Sequence, residues 1–261
     1  MIYPVGKYKV KLVPSSDDES SFGKACSAYL VKPDGTESLL QQDAGISIFK
    51  GTGEDIFGNG NPGLILEGFS GGAHCCFTYV LADLGDSPRV LKRIENQTEF
   101  YIFKNLSNGK YDILTWDGAF DYFDDFCHAC SPVPTVVLEP QRTRLRDVSA
   151  EFIADYDEVI AEAKAKIDPA RLNIFLANPD LSKNDQAWGE SEDIRRAILE
   201  VVLVYLYSGR EQAAWQTLDQ MWPANDRQRI KNLILKTRSE GILSQIEAVG
   251  SPAKRKSSSG P

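Results

Sequence analysis

The feature that most constrains this chain is a change of hydrophobic period part-way along it. Short runs rich in β-branched and aromatic residues recur over 8–13, 25–31, 46–50, 63–67, 77–84, 89–94, 99–103, 111–116 and 133–138. Turn formers separate them: Pro33-Asp34-Gly35, Asn59-Gly60-Asn61-Pro62, Gly85-Asp86 and Ser107-Asn108-Gly109. Such spacing predicts an antiparallel meander, sandwich or propeller-like sheet. From about Asp147 the apolar residues follow a helical period instead: Phe152, Ile153, Tyr156, Val159, Ile160 and Ala163, then Ile194, Ala197, Ile198, Val201, Val202 and Tyr205. The two periods together predict an α+β chain. An antiparallel β domain with blade-like repeats occupies 1–143, a C-terminal α-helical bundle 147–249, and a disordered tail 250–261.

The helix around Ile198 is apolar nearly all round, which places it at the centre of the bundle. Glu190, Glu192 and Asp193 suit its positive N-terminal end, and Gly209 is a natural stop. Further helices are expected over 211–222, ending at Pro223, over 226–239 and over 242–249.

The β part carries an internal echo. Asn59-Gly60 leads through Leu64-Ile65-Leu66-Glu67-Gly68 to His74-Cys75-Cys76 and then Thr78-Tyr79-Val80-Leu81. Asn108-Gly109 leads through Ile113-Leu114-Thr115-Trp116-Asp117-Gly118 to Cys127-His128-Ala129-Cys130 and then Thr135-Val136-Val137-Leu138. Each unit reads as turn, strand, loop with Cys and His, strand, at a period of about 50 residues.

The run Asp55-Ile56-Phe57-Gly58-Asn59-Gly60-Asn61-Pro62-Gly63-Leu64-Ile65-Leu66 resembles the FG-GAP/VCBS type of β-propeller repeat, and with the second unit the likeness extends over 55–140. The resemblance implies a secreted or surface protein of bacterial type, blade-like sheets, and Ca²⁺ at a loop where Asp55 and Asn59 match ligand positions. Phe57 and Gly63 replace two oxygen ligands of that pattern, and Ca²⁺ wants six to eight oxygens; a hairpin turn feeding a strand is the competing reading. Ser70-Gly71-Gly72-Ala73-His74-Cys75-Cys76 is similar to a run of secreted bacterial proteins. Tyr205, Gly209, Ala214 and Leu218 resemble half of a tetratricopeptide repeat, a single helix hairpin over 200–222; one copy makes no solenoid.

The chain has 29 Lys+Arg against 37 Asp+Glu, a net charge of −8. Phosphate binding needs a basic surface, so nucleic acid is excluded as a partner class. The one basic run, Lys254-Arg255-Lys256, lies in the Ser-rich tail. No stretch is long and apolar enough to span a membrane. Met1-Ile2-Tyr3-Pro4-Val5 has no signal-peptide character. A mature secreted or periplasmic domain with its leader absent, or a cytoplasmic protein, both fit. Cysteine usage favours the first, because four of the five cysteines sit in two tight groups.

Both histidines neighbour those cysteines. Cys75, Cys76, Cys127 and Cys130 with His74 and His128 form a set for disulfides between the two groups, closing loops of about 50 residues, or for a tetrahedral Zn²⁺. The C-x-x-C spacing lacks the strand and helix of a thioredoxin site, and Ser131-Pro132-Val133-Pro134 forbids that helix. Gly68-Phe69-Ser70-Gly71-Gly72 fits the nucleophile elbow G-x-S-x-G, with Ser70 as nucleophile and His128 as base. Asp117, Asp121, Tyr122, Asp124 and Asp125 interleave carboxylates with aromatics in a loop able to bind a sugar, a cation or a basic partner. Asn96-Gln97-Thr98 and Asn105-Leu106-Ser107 fit the glycosylation sequon.

These readings converge on a non-catalytic binding or scaffold protein of the bacterial cell envelope or secreted space. It needs no cofactor and uses loops 68–76 and 117–130 on another protein or an envelope component. The alternative is an enzyme: a Ser70 hydrolase, or a Zn-dependent activity at the Cys/His cluster.

Overall fold

A computed structural model describes residues 1–14, 25–72, 76–177 and 191–247, the side chains at 25, 26 and 247 excepted. Eleven antiparallel strands form two meanders. The first holds β1 (Ile2–Val5), β2 (Tyr8–Pro14), β3 (Ala25–Val31), β4 (Glu37–Ile48), β5 (Gly63–Phe69), β6 (Phe77–Asp83) and β7 (Arg89–Asn96), side by side in chain order. The second holds β8 (Tyr101–Lys104), β9 (Tyr111–Trp116), β10 (Thr135–Gln141) and β11 (Arg144–Asp147) in the order β11-β10-β9-β8.

Strands β5 and β6 read as continuous apolar runs because both of their faces are covered. Leu64, Leu66, Val80 and Ala82 face a core shared with Val10, Leu12 and Leu30. Ile65, Tyr79 and Leu81 face the opposite way, into a larger core. That second core also takes Ile113, Val136 and Leu138 from the second sheet and Ile198, Leu199, Val202 and Leu203 from a helix.

The helices are α1 (Ile153–Ala165), α2 (Pro169–Ala177), α3 (Glu192–Tyr207), α4 (Glu211–Met221), α5 (Arg227–Glu240) and α6 (Ile242–Glu247). Helix α3 is the one that reads as apolar all round. One face meets the sheets, while Val201 and Val204 meet Tyr156, Ile160 and Ala163 of α1. It stops at Gly209, which adopts φ +78°. Gly209 N–H donates to Leu206 O at 3.3 Å and Arg210 N–H to Tyr205 O at 2.8 Å. This double bond pattern is a Schellman motif, and only glycine enters it without strain. Ala214, fully buried, lets α4 lie against the rest of the hairpin.

The sheets depart from the sequence reading in their closure. The two repeat units fall in different sheets, one as the pair β5–β6 and the other as β9–β10, and no barrel or propeller closure forms among the described residues. Strand β11 covers Arg144–Asp147, just past the expected end of the β domain at 143. The basic run 254–256 and the tail 250–261 lie outside the described residues.

Candidate binding loop

Asn96, at the end of β7, positions the site. Its residue partner across the sheet is Phe77, the first residue of β6. Its side-chain oxygen accepts the N–H of Gly118 at 3.1 Å, and its amide donates to Thr115 Oγ1 at 3.0 Å and to the Trp116 carbonyl at 2.9 Å. Asn96 therefore joins Phe77, which follows loop 68–76, to Gly118 at the start of loop 117–130. With its amide buried and bonded, Asn96 is no glycan acceptor, which corrects the sequon reading there.

Loop 117–130 is built by a period of three. Phe120, Phe123 and Phe126 are all buried, and each closes or starts a short 3₁₀ turn. The carboxylates between them point mostly inward. Asp117 is fully buried: one oxygen accepts from Tyr207 Oη at 2.6 Å, and the other accepts the N–H groups of Ala119 at 3.2 Å and Ile242 at 3.1 Å. Burial pushes its carboxyl pKa up despite these donors. Glycine at 241 leaves room for it, since a Cβ there would sit 2.2 Å from its oxygen.

Asp124 clamps the loop to the helices. It accepts a two-pronged contact from Arg229, whose Nη2 lies at 3.2 Å, and its other neighbour is Arg195 Nη1 at 3.9 Å. Arg195 is 2% exposed and stacks its guanidinium 4.7 Å from the centre of the Phe126 ring. Its burial lowers its pKa to about 10. Arg229 is held in turn by Asp226, which also accepts from Trp222 Nε1 at 2.8 Å.

Asp121 holds His128. Its two oxygens lie 2.8 and 2.9 Å from His128 Nδ1. They also accept the N–H of Tyr122 at 3.1 Å and, with its amide oriented to match donors to acceptors, Gln97 Nε2 at 2.9 Å. The Asp121 side chain is 6% exposed, while that of His128 is 46% exposed. Tyr122, 55% exposed, lays its ring 5.8 Å from the imidazole. Asp125 is exposed beside it.

Three of these residues adopt left-handed backbone: Tyr122 (φ 54°), Asp124 (φ 49°) and Asp125 (φ 66°). Each non-glycine residue in that region costs roughly 1–3 kcal/mol and persists only where its surroundings over-determine it. Here the surroundings are the three phenylalanines, the Asp124 clamp and a disulfide at the loop's end. Cys127 and Cys130 are bonded to each other, Cα atoms 5.0 Å apart. This corrects the expectation of bonds between the two cysteine groups, for Cys127 and Cys130 at least. As a disulfide, neither sulfur is a thiolate ligand for Zn²⁺. Cys76 is also disulfide-bonded. His74, Cys75 and the side chain of Cys26 lie outside the described residues.

The remaining candidates are turn chemistry. Asp55 accepts the N–H groups of Asn59 and Gly60, both at 2.9 Å, and Asn59 bonds Asn61 N–H and Asp83. This is the hairpin-turn reading of that loop. Among the described residues no group of three or more His, Cys, Asp and Glu is placed to hold a metal. Ser70 Oγ accepts the Cys76 N–H at 2.7 Å. The chain after Ser70 returns as antiparallel β6, not as the helix of a nucleophile elbow, which corrects that reading. Arg195 and Arg229 are the site residues the sequence reading missed. The available signal was the pair Arg195-Arg196 in a helix that reads as apolar nearly all round, where one of two neighbouring charges must face the core and needs a buried partner.

No family model, no curated protein and no solved structure matches this chain.

Proposed function

We propose that this chain is a binding module of the bacterial cell envelope or secreted space, and that loops 117–130 and 68–76 are its contact surface. The observation that carries the reading is the combination of strain and direction. The carboxylates of Asp117, Asp121 and Asp124 are spent holding the loop, and the strained backbone presents Tyr122, Asp125 and His128 outward. A preformed aromatic and polar surface on rigid supports suits recognition of another protein or an envelope component, because little ordering cost remains. The Cys127–Cys130 disulfide supports an oxidising compartment. No helix among the described residues is long and apolar enough to cross a membrane. The likeness to FG-GAP/VCBS-type repeats over 55–140 belongs to this proposal. It is supported by the pairing of both units as antiparallel hairpins, β5–β6 and β9–β10. The enzymatic alternative has less support, since Ser70 lies in a hairpin connection.

A photo-crosslinking aromatic residue in place of Tyr122, in the full chain in its native host, tests this. Expected is a discrete adduct that the same residue at exposed Leu39, on β4, does not give. Equal adducts at both positions, or none at 122, refute the reading.

A further inference from the structure

The Cys127–Cys130 pair has three properties that a purely structural clip does not need. Its two cysteines are unequal: Cys127 is exposed, whereas Cys130 is half-buried and packs against the main core. The loop it closes is short, three residues apart in sequence, and ends on a single 3₁₀ turn at His128–Cys130. A cleft of about 440 Å³ adjoins the end of this loop: both chain neighbours of Cys130, Ala129 and Ser131, line it, although neither cysteine does. Trp116, Pro132, Pro134 and Leu203 of α3 line it together with Glu162, Lys166, Arg196 and Glu200. Such a mixture of aromatic, proline and paired charges fits an extended peptide better than a small ion.

We propose that Cys127–Cys130 is a thiol–disulfide exchange site acting on a cysteine-bearing segment of a partner protein seated in this cleft. Attack falls on Cys127, the more exposed residue of the two. A client thiolate attacks Cys127 Sγ; the Cys127–Cys130 bond breaks, and Cys130 leaves as a thiolate that takes up a proton. A second client thiol, after losing its proton, attacks the client sulfur of the mixed disulfide and releases Cys127 as a thiol. The client's two thiols become a disulfide, and two electrons and two protons pass to Cys127 and Cys130. The half-buried position of Cys130 suits it as the sulfur released first, since no outside thiol competes for it. The surface role of Tyr122 and His128 is not needed for this step, so its failure would leave the binding reading intact.

The test uses the full oxidised chain and a short reduced peptide with two cysteines, at neutral pH. Peptide disulfide and the state of each protein cysteine are followed by mass after alkylation. Expected is stoichiometric peptide oxidation at the expense of Cys127–Cys130 and not of the Cys76 disulfide, at a rate at least ~10-fold above that given by an equal concentration of oxidised glutathione. Cys130→Ser, offered the oxidised peptide, is expected to accumulate a mixed disulfide on Cys127 ~10-fold faster than Cys127→Ser does on Cys130, because access sets the rate. Val133→Glu, which places a charge in the cleft, should lower the ratio of peptide to small-thiol rates. Peptide oxidation no faster than glutathione supports, or oxidation mapped to Cys76, makes the pair a structural clip and overturns the proposal. The wild-type measurement decides even if the cysteine variants do not fold.

Discussion

Asp124→Asn isolates the clamp that fixes the candidate loop. Asparagine tolerates the left-handed backbone at 124 nearly as well as aspartate, so the change removes charge with little new strain. The carboxylate lies 3.9 Å from Nη1 of Arg195, which is 2% exposed. Two unit charges at that distance interact by about 4 kcal/mol at an effective dielectric constant of about 20. The Arg229 arm adds less than about 1 kcal/mol, since that side chain is 41% exposed and solvent screens it. The amide recovers part of the loss as a neutral hydrogen bond, and Glu192 and Asp125 also act on Arg195. The net cost is about 3 kcal/mol, which for a domain of this size lowers Tm by roughly 6–12 °C. Urea and thermal unfolding read it directly. Asp219→Asn, exposed on α4 and outside the clamp, is the control and should fall within about 0.5 kcal/mol of wild type. If Asp124→Asn matches the control, Arg195 is not held by this carboxylate and the clamp is wrong.

Two buried carboxylates should respond to pH with opposite sign. Asp117 has a raised folded pKa, so its contribution is complete below the unfolded value of about 3.9 and is lost as pH rises through the folded value; wild type should gain on Asp117→Asn as pH falls from 7 to 4. Glu139 is pushed up by burial, yet hydrogen bonds from Gln141 and Lys110 and the charge of Lys110 outweigh this and lower its pKa. Its advantage over Glu139→Gln should hold at pH 7 and shrink below about pH 4.5, in the same urea series. Replacing Cys127 and Cys130 together by serine should cost about 2 kcal/mol in the chain-entropy model, because the closed loop is so short; a loss above about 4 kcal/mol would mean the disulfide also supports the core. Asp125→Gly should raise stability by about 0.5–1 kcal/mol by relieving positive φ, measured by the same unfolding.

Much of the architecture was legible in local pattern. The Gly209 stop, the apolar ring of α3 and the strands 25–31 and 111–116 coincide with their elements because propensity and burial agree there. Strand β4 was half hidden, since its first part, Glu-Ser-Leu-Leu-Gln-Gln, carries no β-branched residue and is held by pairing with β3 rather than by propensity. Helix α2 was missed for want of a repeated apolar face; Phe175 is its single fully buried residue. At the site, the sequence showed carboxylates alternating with aromatics but not which way they face. The deciding fact is the period of three at Phe120, Phe123 and Phe126, with Asp117 and Asp124 turned inward toward partners far along the chain, such as Tyr207 90 residues on and Arg229 105 residues on. Such pairs carry no local signal. The disulfide failed for the same reason in reverse: the nearest partner, three residues away, won over the distant group.

The account rests on loop 117–130 being rigid despite its strain, and native-state hydrogen exchange measures that directly. The N–H groups of Gly118, Asp121, Tyr122 and Phe126 all have partners in the structure. They should exchange at least ~100-fold more slowly than unstructured amides, a local opening free energy of about 2.7 kcal/mol or more. Exchange at those four amides as fast as at Leu106, which is 99% exposed on the β8–β9 turn, would mean that the loop is not preformed and would contradict the account.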